Sequence, residues 1–587
     1  MREGLSRLAP ALVLIAFGFP LFIGLGSTDL GNDEAIYSYA VESILTTGDW
    51  LSPRASPNEH ITFLEKPPLK LWLVAAPIGA GLLPGDEFGL RFWDATFGSV
   101  AFVYVFLIGR RLAGPFCGLF AVLVLFAHRP LIFDHGFRSN NMDAALVLAY
   151  CGGVYHYLRW AASGGARHLA AIAAWFYLGF MTKFVGALFL PVVLGICALL
   201  IGSHRHRLLA DRRQVALAAA AVAAAVLPWF AYQHLVHGGT FWRVMFGEHV
   251  YTRFTAYADP THVQPWHFYV TAAYRALSEA HSGIWVGVGL LVLVVETIRR
   301  RLPDGVVVLV WLVVPIVLIS LGSSKLYHYA YPYLPPLALA AGFGAAWLAR
   351  HLTRVMEPLW TRLRMSAHPV PVSVRVVASA SLAVALGLAI WTAAAGTIRL
   401  EAGGHLLFRN HSIARPLILA ILCGVFAVGP RRGAGAALLL ALAWALPGPL
   451  QVYSRNLALL AVSDRPLGRL AECLRETDER RRRSGQPAPG VYAPVSEEAF
   501  LHPYFFYLRG TGWHGREDDD LLRAALFVEG TQRPVVIDRG RYAGFLERVG
   551  DQGPLPVPIE QSRVLILLPA AYAECGVPRR MPSRREA

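Results

Sequence analysis

Long apolar runs, separated by short polar joints rich in arginine, repeat along most of this chain. A bilayer crossing takes about 17 to 25 mostly apolar residues. The runs predict thirteen membrane-spanning helices, near residues 8–26, 93–112, 114–132, 143–160, 168–182, 184–202, 214–232, 282–298, 305–321, 331–349, 374–396, 414–429 and 434–452. The first run lacks a small-residue cleavage site before the acidic stretch that follows, so it reads as a span. Leu69–Leu83 is apolar but short and follows two prolines, which predicts a helix lying at the interface or re-entering. From Tyr453 the pattern changes to Pro, Gly and charges around short β-like runs, Pro534–Ile537 and Val564–Leu568. Residues 453–587 are therefore expected to form a soluble α/β domain. Residues 1–452 form the membrane domain, with long outer loops at 27–92 and 233–281.

Composition agrees with the pattern. With 55% hydrophobic and 16% charged residues over 587 positions, and a mean hydropathy of +0.45, ordinary soluble domains are excluded. The fold class is a polytopic α-helical membrane protein. A net charge of +15 would suggest nucleic acid in a soluble chain. Here the arginines cluster in alternate short loops, such as Arg110 with Arg111 and Arg205 to Arg213, which sets membrane orientation and argues against nucleic acid. Those loops read as cytoplasmic, and thirteen crossings from a cytoplasmic start put the C-terminal domain outside. Of the 54 basic residues only Lys66, Lys70, Lys183 and Lys325 are lysine, and all four fall on the side opposite the arginine clusters.

Cys117, Cys151, Cys197 and Cys423 lie in apolar runs, while Cys473 and Cys575 lie in the polar C-terminal region, where a disulfide is compatible with an extracytoplasmic location. The run Glu479–Arg483 reads as a solvated loop, with contact to anionic lipid head groups as the alternative.

The outer loops hold the candidate chemistry. Asp33 and Glu34 follow the first span; alone, they would read as plain loop charges. In the same loop Phe63-Leu64-Glu65-Lys66-Pro67-Pro68 sets an acid and a base before two prolines, which restrict the backbone and hold them at a defined depth. Asp143 stands at the mouth of the fourth span, where interaction with the helix dipole is the bland explanation. Farther on come Glu248-His249, Arg253-Phe254 and Pro265-Trp266, then Ser324-Lys325-Leu326-Tyr327. His262, His267 and the aromatic residues around them fit an interfacial belt.

Taken together, Asp33-Glu34, Phe63–Pro68, Thr182-Lys183, Glu248-His249 with Arg253-Phe254, Pro265-Trp266 and Ser324-Lys325-Leu326 before Pro332 resemble the lipid A aminoarabinose transferase group. That group belongs to the GT-C membrane glycosyltransferases related to protein O-mannosyltransferases, and the likeness covers about residues 1–350. The resemblance implies an inverting transferase of the bacterial inner membrane. It would use a polyprenyl-phosphate sugar donor on the periplasmic side and act on a glycolipid such as lipid A, or on a protein hydroxyl, among membrane lipids. Chemistry asks for the same parts. Asp33 is the best-placed general base for an acceptor hydroxyl, with Glu34 and Asp143 as further catalytic acids. Lys66 and Arg253 would hold the leaving phosphate, with Lys183, Lys325 and Tyr327 as second choices. Glu65 and His249 match metal-ligand positions, so a divalent ion such as zinc is possible there, without a complete zinc set in view.

The chain departs from the pattern at Asn140-Asn141, at Phe184 where glycine is usual, and at His328, all near the expected sugar and acceptor pockets. A lipid or sugar transporter is the alternative of another class. Such proteins place ionisable groups at the membrane midplane, whereas these cluster at one face.

Overall fold

The first apolar run does not make one straight helix. Helix Arg2–Val13 passes into a π-helical turn, Leu14–Gly18, and then a 3₁₀ turn, Phe19–Phe22. Pro20 lacks an N–H, and the carbonyls ending the run lack helical donors. Two buried arginines supply them. Arg138 donates to the carbonyls of Leu21 (2.9 Å), Ile23 and Gly24 (2.9 Å), and Arg91 to that of Leu25 (3.1 Å). From sequence Arg138 reads as a lone loop charge; in the structure it caps this broken end.

The structure is a computed structural model that describes residues 2–55, 62–256, 260–362, 370–395, 397–402, 405–427, 446–488, 490–493, 502–508, 518–549, 556–560 and 564–576. The chain divides into two compact units. One holds Met1–Leu25, Trp50–Ser52 and Phe63–Val462; the other holds Gly26–Asp49, Pro53–Thr62 and Ser463–Ala587. The border expected at residue 453 thus falls at Ser463, and the first outer loop is shared between the units.

The first unit is mostly helical. Among the described residues four helices are long and apolar enough to cross a membrane: Glu87–Ala113, Arg212–His237, Pro303–Ser320 and Val372–Thr392. The pair Val185–Leu200 and Gly202–Ala210, bent by 109°, makes a fifth if counted as one span. Helices also form over other predicted runs, among them Asp143–Ser163, Ala166–Lys183, Gly283–Arg300 and Leu334–Arg362. Residues 434–445 of the last predicted span, with Arg431 and Arg432, lie outside the described residues.

Helices meet through small residues, as they do where lipid replaces water around them. A Cβ on Gly109 would fall 2.6 Å from the Gly118 Cα, and one on Gly289 would fall 2.2 Å from the Ala340 carbonyl oxygen. The stretch after Pro67-Pro68 forms the short helix Leu69–Gly79. From sequence Lys70, at the start of an interfacial helix, reads as a head-group anchor; in the structure it is buried against Asp94.

The second unit contains helices Asn32–Thr47 and Pro466–Arg483 and a three-stranded antiparallel sheet. Strand Val564–Leu568 is central, between Val535–Asp538 and Val557–Glu560. Its unbroken apolar run is buried at every position, and Leu522, Leu526, Ile537 and Phe545 pack in the same core as Leu565 and Leu567. Asp29 ties the early segment to this unit by accepting from the N–H groups of Leu467 (2.7 Å) and Gly468 (3.0 Å) at the start of helix Pro466–Arg483. Cys473 and Cys575 form a disulfide. Glu479–Arg483 is the last turn of that helix and not a loop, an end where basic side chains are favoured. Arg480 there bonds Glu574, and Arg481 lies 5.4 Å from the Tyr572 ring centre.

Candidate active site

In the first unit Leu64 inserts into an apolar cluster with Met181, Trp229, Phe241 and Met245. With Pro67 and Pro68 stiffening the other side, Glu65 and Lys66 are held in the wall of a cavity of about 210 Å³. A second wall comes from the π-helical segment Arg243–Thr252, a form often found at functional sites, which delivers His249 and leads directly to Arg253. The Ser323 and Ser324 N–H groups donate to the carbonyls of Phe254 (3.0 Å) and Arg253 (3.1 Å), which fastens this segment to the loop before Tyr329. The Arg253 guanidinium then donates to the Tyr329 hydroxyl at 3.0 Å.

Lys183, the last residue of helix Ala166–Lys183, enters from a third side. Phe184 after it takes a left-handed backbone, φ 34°, where glycine would sit without strain. That turn starts helix Val185–Leu200 and leaves Lys183 ion-paired with Asp143, its Nζ 5.5 Å from the centre of the Tyr329 ring. Phe184, Phe189, Leu318 and Ile319 supply an apolar side.

Lys66, Lys183 and Arg253 all line the cavity, with Lys66 beside Glu65 and Lys183 paired with Asp143. Three cationic side chains beside an apolar side suit an anion attached to an apolar tail. Glu65 Oε2 lies 3.8 Å from Lys66 Nζ and 3.7 Å from His249 Nε2. Burial lowers the His249 imidazole to about 4, with Glu65 opposing and Arg253 and Lys66 assisting, so near neutral pH it is uncharged. His328 stacks on His135 with ring centres 4.5 Å apart. Burial, then Lys183, His135, Lys66 and Arg253, hold His328 well below its ordinary value.

Other predicted residues are engaged differently. Lys325 is buried and donates to the carbonyls of Gln264 (2.8 Å) and Gly322, so its ammonium is spent on backbone and does not line the cavity. The Tyr327 hydroxyl bonds His128 at 2.8 Å; Tyr329 takes the place in the cavity wall expected for Tyr327. Nothing in Tyr327-His328-Tyr329 tells the two tyrosines apart, because the choice depends on where the loop docks. Asp33 and Glu34 belong to the second unit, in the first turn of helix Asn32–Thr47. Glu34 Oε2 accepts the Gly31 N–H at 2.7 Å, bonding back to the residue that starts the helix, so its carboxylate has a structural task. Asp33 is half-buried beside it.

Comparison with known proteins gives a consistent picture. Residues 65–232 match the family of dolichyl-phosphate-mannose-protein mannosyltransferases, a segment that contains Glu65, Lys66, Asp143 and Lys183. The chain is 30% identical over 348 residues to an undecaprenyl phosphate-alpha-4-amino-4-deoxy-L-arabinose arabinosyl transferase of Pseudomonas fluorescens, covering 58% of this chain and 56% of that one. It is 28% identical over 339 residues to the corresponding protein of Pseudomonas aeruginosa, covering 57% and 58%. The match thus spans little more than half the length of these relatives. In fold the likeness is complete along the chain. The crystal structure of ArnT from Cupriavidus metallidurans bound to undecaprenyl phosphate aligns over 99% of this chain and 100% of that one, with a TM-score of 0.62 and 18% identity. An Archaeoglobus fulgidus oligosaccharyltransferase aligns over 92% and 71%, with a TM-score of 0.51 and 13% identity. The fold is the ArnT-like GT-C fold of an integral membrane protein.

Proposed function

We propose that this chain transfers a sugar from a polyprenyl phosphate to an acceptor at the extracytoplasmic membrane face. The observation that carries the reading is the cavity itself: Lys66, Lys183 and Arg253 converge beside an apolar wall. That combination matches a phosphate joined to an isoprenoid tail. The relatives are named for an undecaprenyl-phosphate sugar, and ArnT was crystallised with undecaprenyl phosphate.

In this reaction the acceptor oxygen forms a bond to the anomeric carbon while the bond from that carbon to the phosphate oxygen breaks, inverting the centre. The electron pair stays on the departing phosphate. Lys66 and Arg253 stabilise that charge, and Tyr329 keeps the Arg253 fork aimed. Lys183 contributes positive charge while paired to Asp143. A hydroxyl acceptor gives its proton to a carboxylate, for which Asp33 is the proposed base; an already ionised phosphate on lipid A would need none.

Glu65 and His249 are the candidate metal ligands, and the uncharged imidazole has a lone pair to offer. No group of three His, Cys, Asp or Glu side chains suited to a metal occurs among the described residues. This pair falls short of the three or four protein ligands of zinc sites, so no step is routed through a metal.

An envelope glycolipid such as lipid A is the proposed acceptor, with a protein Ser or Thr as the second reading. The test is a purified assay with radiolabelled undecaprenyl-phosphate sugar, offered lipid A and a Ser/Thr peptide in parallel. Label appearing in lipid A supports the first reading, and label in the peptide moves the acceptor to protein. Donor consumed with neither labelled, or sugar carried intact across proteoliposomes, defeats the transferase reading.

A further inference from the structure

The most deeply buried charges near the cavity take no part in the chemistry above. Lys70 is 1% exposed and Asp94 is 0% exposed, with Nζ 2.8 Å from Oδ2. The same ammonium donates to Asn140 Oδ1 at 2.9 Å, and Asn140 is buried too. Removing both charges from water is costly, and an apolar pair of similar volume commonly serves stability as well or better. Stability does not account for this pair.

Its position does. Lys70 lies in the first turn of helix Leu69–Gly79, so only Pro67, Pro68 and Leu69 separate it from Lys66. Asn140 stands three residues before Asp143, which holds Lys183. Asp94 belongs to the long helix Glu87–Ala113, and one turn along it Gly98 is pressed against Phe137 of the Asn140 loop, where a Cβ would fall 2.4 Å from the ring. One buried ammonium therefore ties two cavity-forming segments to the same fixed helix. A directional, desolvated contact of this kind fixes register in a way that apolar packing, tolerant of sliding, does not.

We propose that Lys70, Asp94 and Asn140 are positioning residues that set the distance between Lys66 and the Lys183–Asp143 pair across the cavity. The inference rests on the donor-phosphate reading of that cavity for its effect on turnover, but the tie itself can be measured without donor. Displacement of a phosphate ligand by about 1 Å is enough to lower turnover up to a hundredfold.

The test uses the full chain in detergent, comparing the parent with the double variant Lys70→Met/Asp94→Leu. Expected are an unchanged or higher unfolding temperature, faster hydrogen exchange confined to residues 62–66 and 139–144, and kcat lower by about ten- to a hundredfold with a smaller change in KM. Asn140→Ala, which keeps the ion pair, should give a weaker form of the same exchange pattern. Unchanged exchange in both segments overturns the proposal, whatever the activity. So does lost turnover that merely follows a lower unfolding temperature. If the parent binds no undecaprenyl phosphate, the donor reading fails, and the exchange experiment still decides the tie.

Discussion

Two lysines line the cavity and two are sealed inside the protein, and the difference lies in what each ammonium touches. Lys66 and Lys183 keep part of their surface open, at 18% and 15% exposure, with Lys66 beside Glu65 and Lys183 paired with Asp143. Lys70 is closed in by Asp94 and Asn140, and Lys325 by backbone carbonyls. In a chain that otherwise uses arginine, the compact ammonium serves both to meet a ligand and to fill a small, fully bonded niche, tasks for which a planar fork is poorly shaped. The cavity thus keeps its ammonium groups within reach of a ligand, while the sealed ones are out of reach.

Breaking this contrast should have its largest effect on the sealed side. Lys70→Ala alone removes the ammonium paired with the buried Asp94 carboxylate and should cost about 3–5 kcal/mol, read as a large fall in unfolding temperature or in recovered folded protein. A stable Lys70→Ala variant would show that Asp94 has another partner sufficient to hold it. On the open side, Lys66→Ala or Arg253→Ala should leave the unfolding temperature nearly unchanged and lower kcat by about 10²–10³. Lost folding in place of lost turnover would put Lys66 in the structural class.

A finer division separates the two tyrosines. Tyr329→Phe removes the hydrogen bond that aims Arg253 and should slow turnover about tenfold, for a bond of about 1.5 kcal/mol to a charged group. Tyr327→Phe leaves buried His128 without its hydroxyl partner and should act on stability first. Equal kinetic effects from the two would erase the assignment of Tyr329 to the site.

The smallest effect is in pH. The folded pKa of His328 is depressed well below 6.5, so from 6.5 downward an unfolded chain takes up a proton that the folded one refuses. The stabilising contribution is therefore complete above pH 6.5 and is lost as pH falls toward the folded value. Unfolding temperatures between about pH 7 and 5 should fall less steeply for His328→Gln than for the parent. Identical slopes would mean that the imidazole is free to charge.

Much of the membrane architecture and the chemistry-bearing segments were legible in the chain. Apolar run length and arginine placement are one-dimensional signals of bilayer crossing, and helices occupy most of the predicted runs. Glu65-Lys66, Lys183, His249 and Arg253 were picked out by residue type and neighbouring prolines or aromatics, and they line one cavity. Partnership was not legible. Asp143 and Lys183 are 40 residues apart in sequence, Lys70 and Asn140 are 70 apart, and Arg253 and Tyr329 are 76 apart. Sequence placed Lys325 and Tyr327 beside the phosphate and Lys70 at the membrane surface, because local pattern says which side of the membrane a residue occupies but not which way its side chain turns.

What the sequence determined by itself is therefore the membrane class, the run of helices and the shortlist of charged residues, since these follow from local hydropathy and charge. What only the tertiary structure decided is which charges stay available. An ammonium is open or spent according to the carbonyls and carboxylates that distant segments bring within about 3 Å, and that depends on how the helices dock.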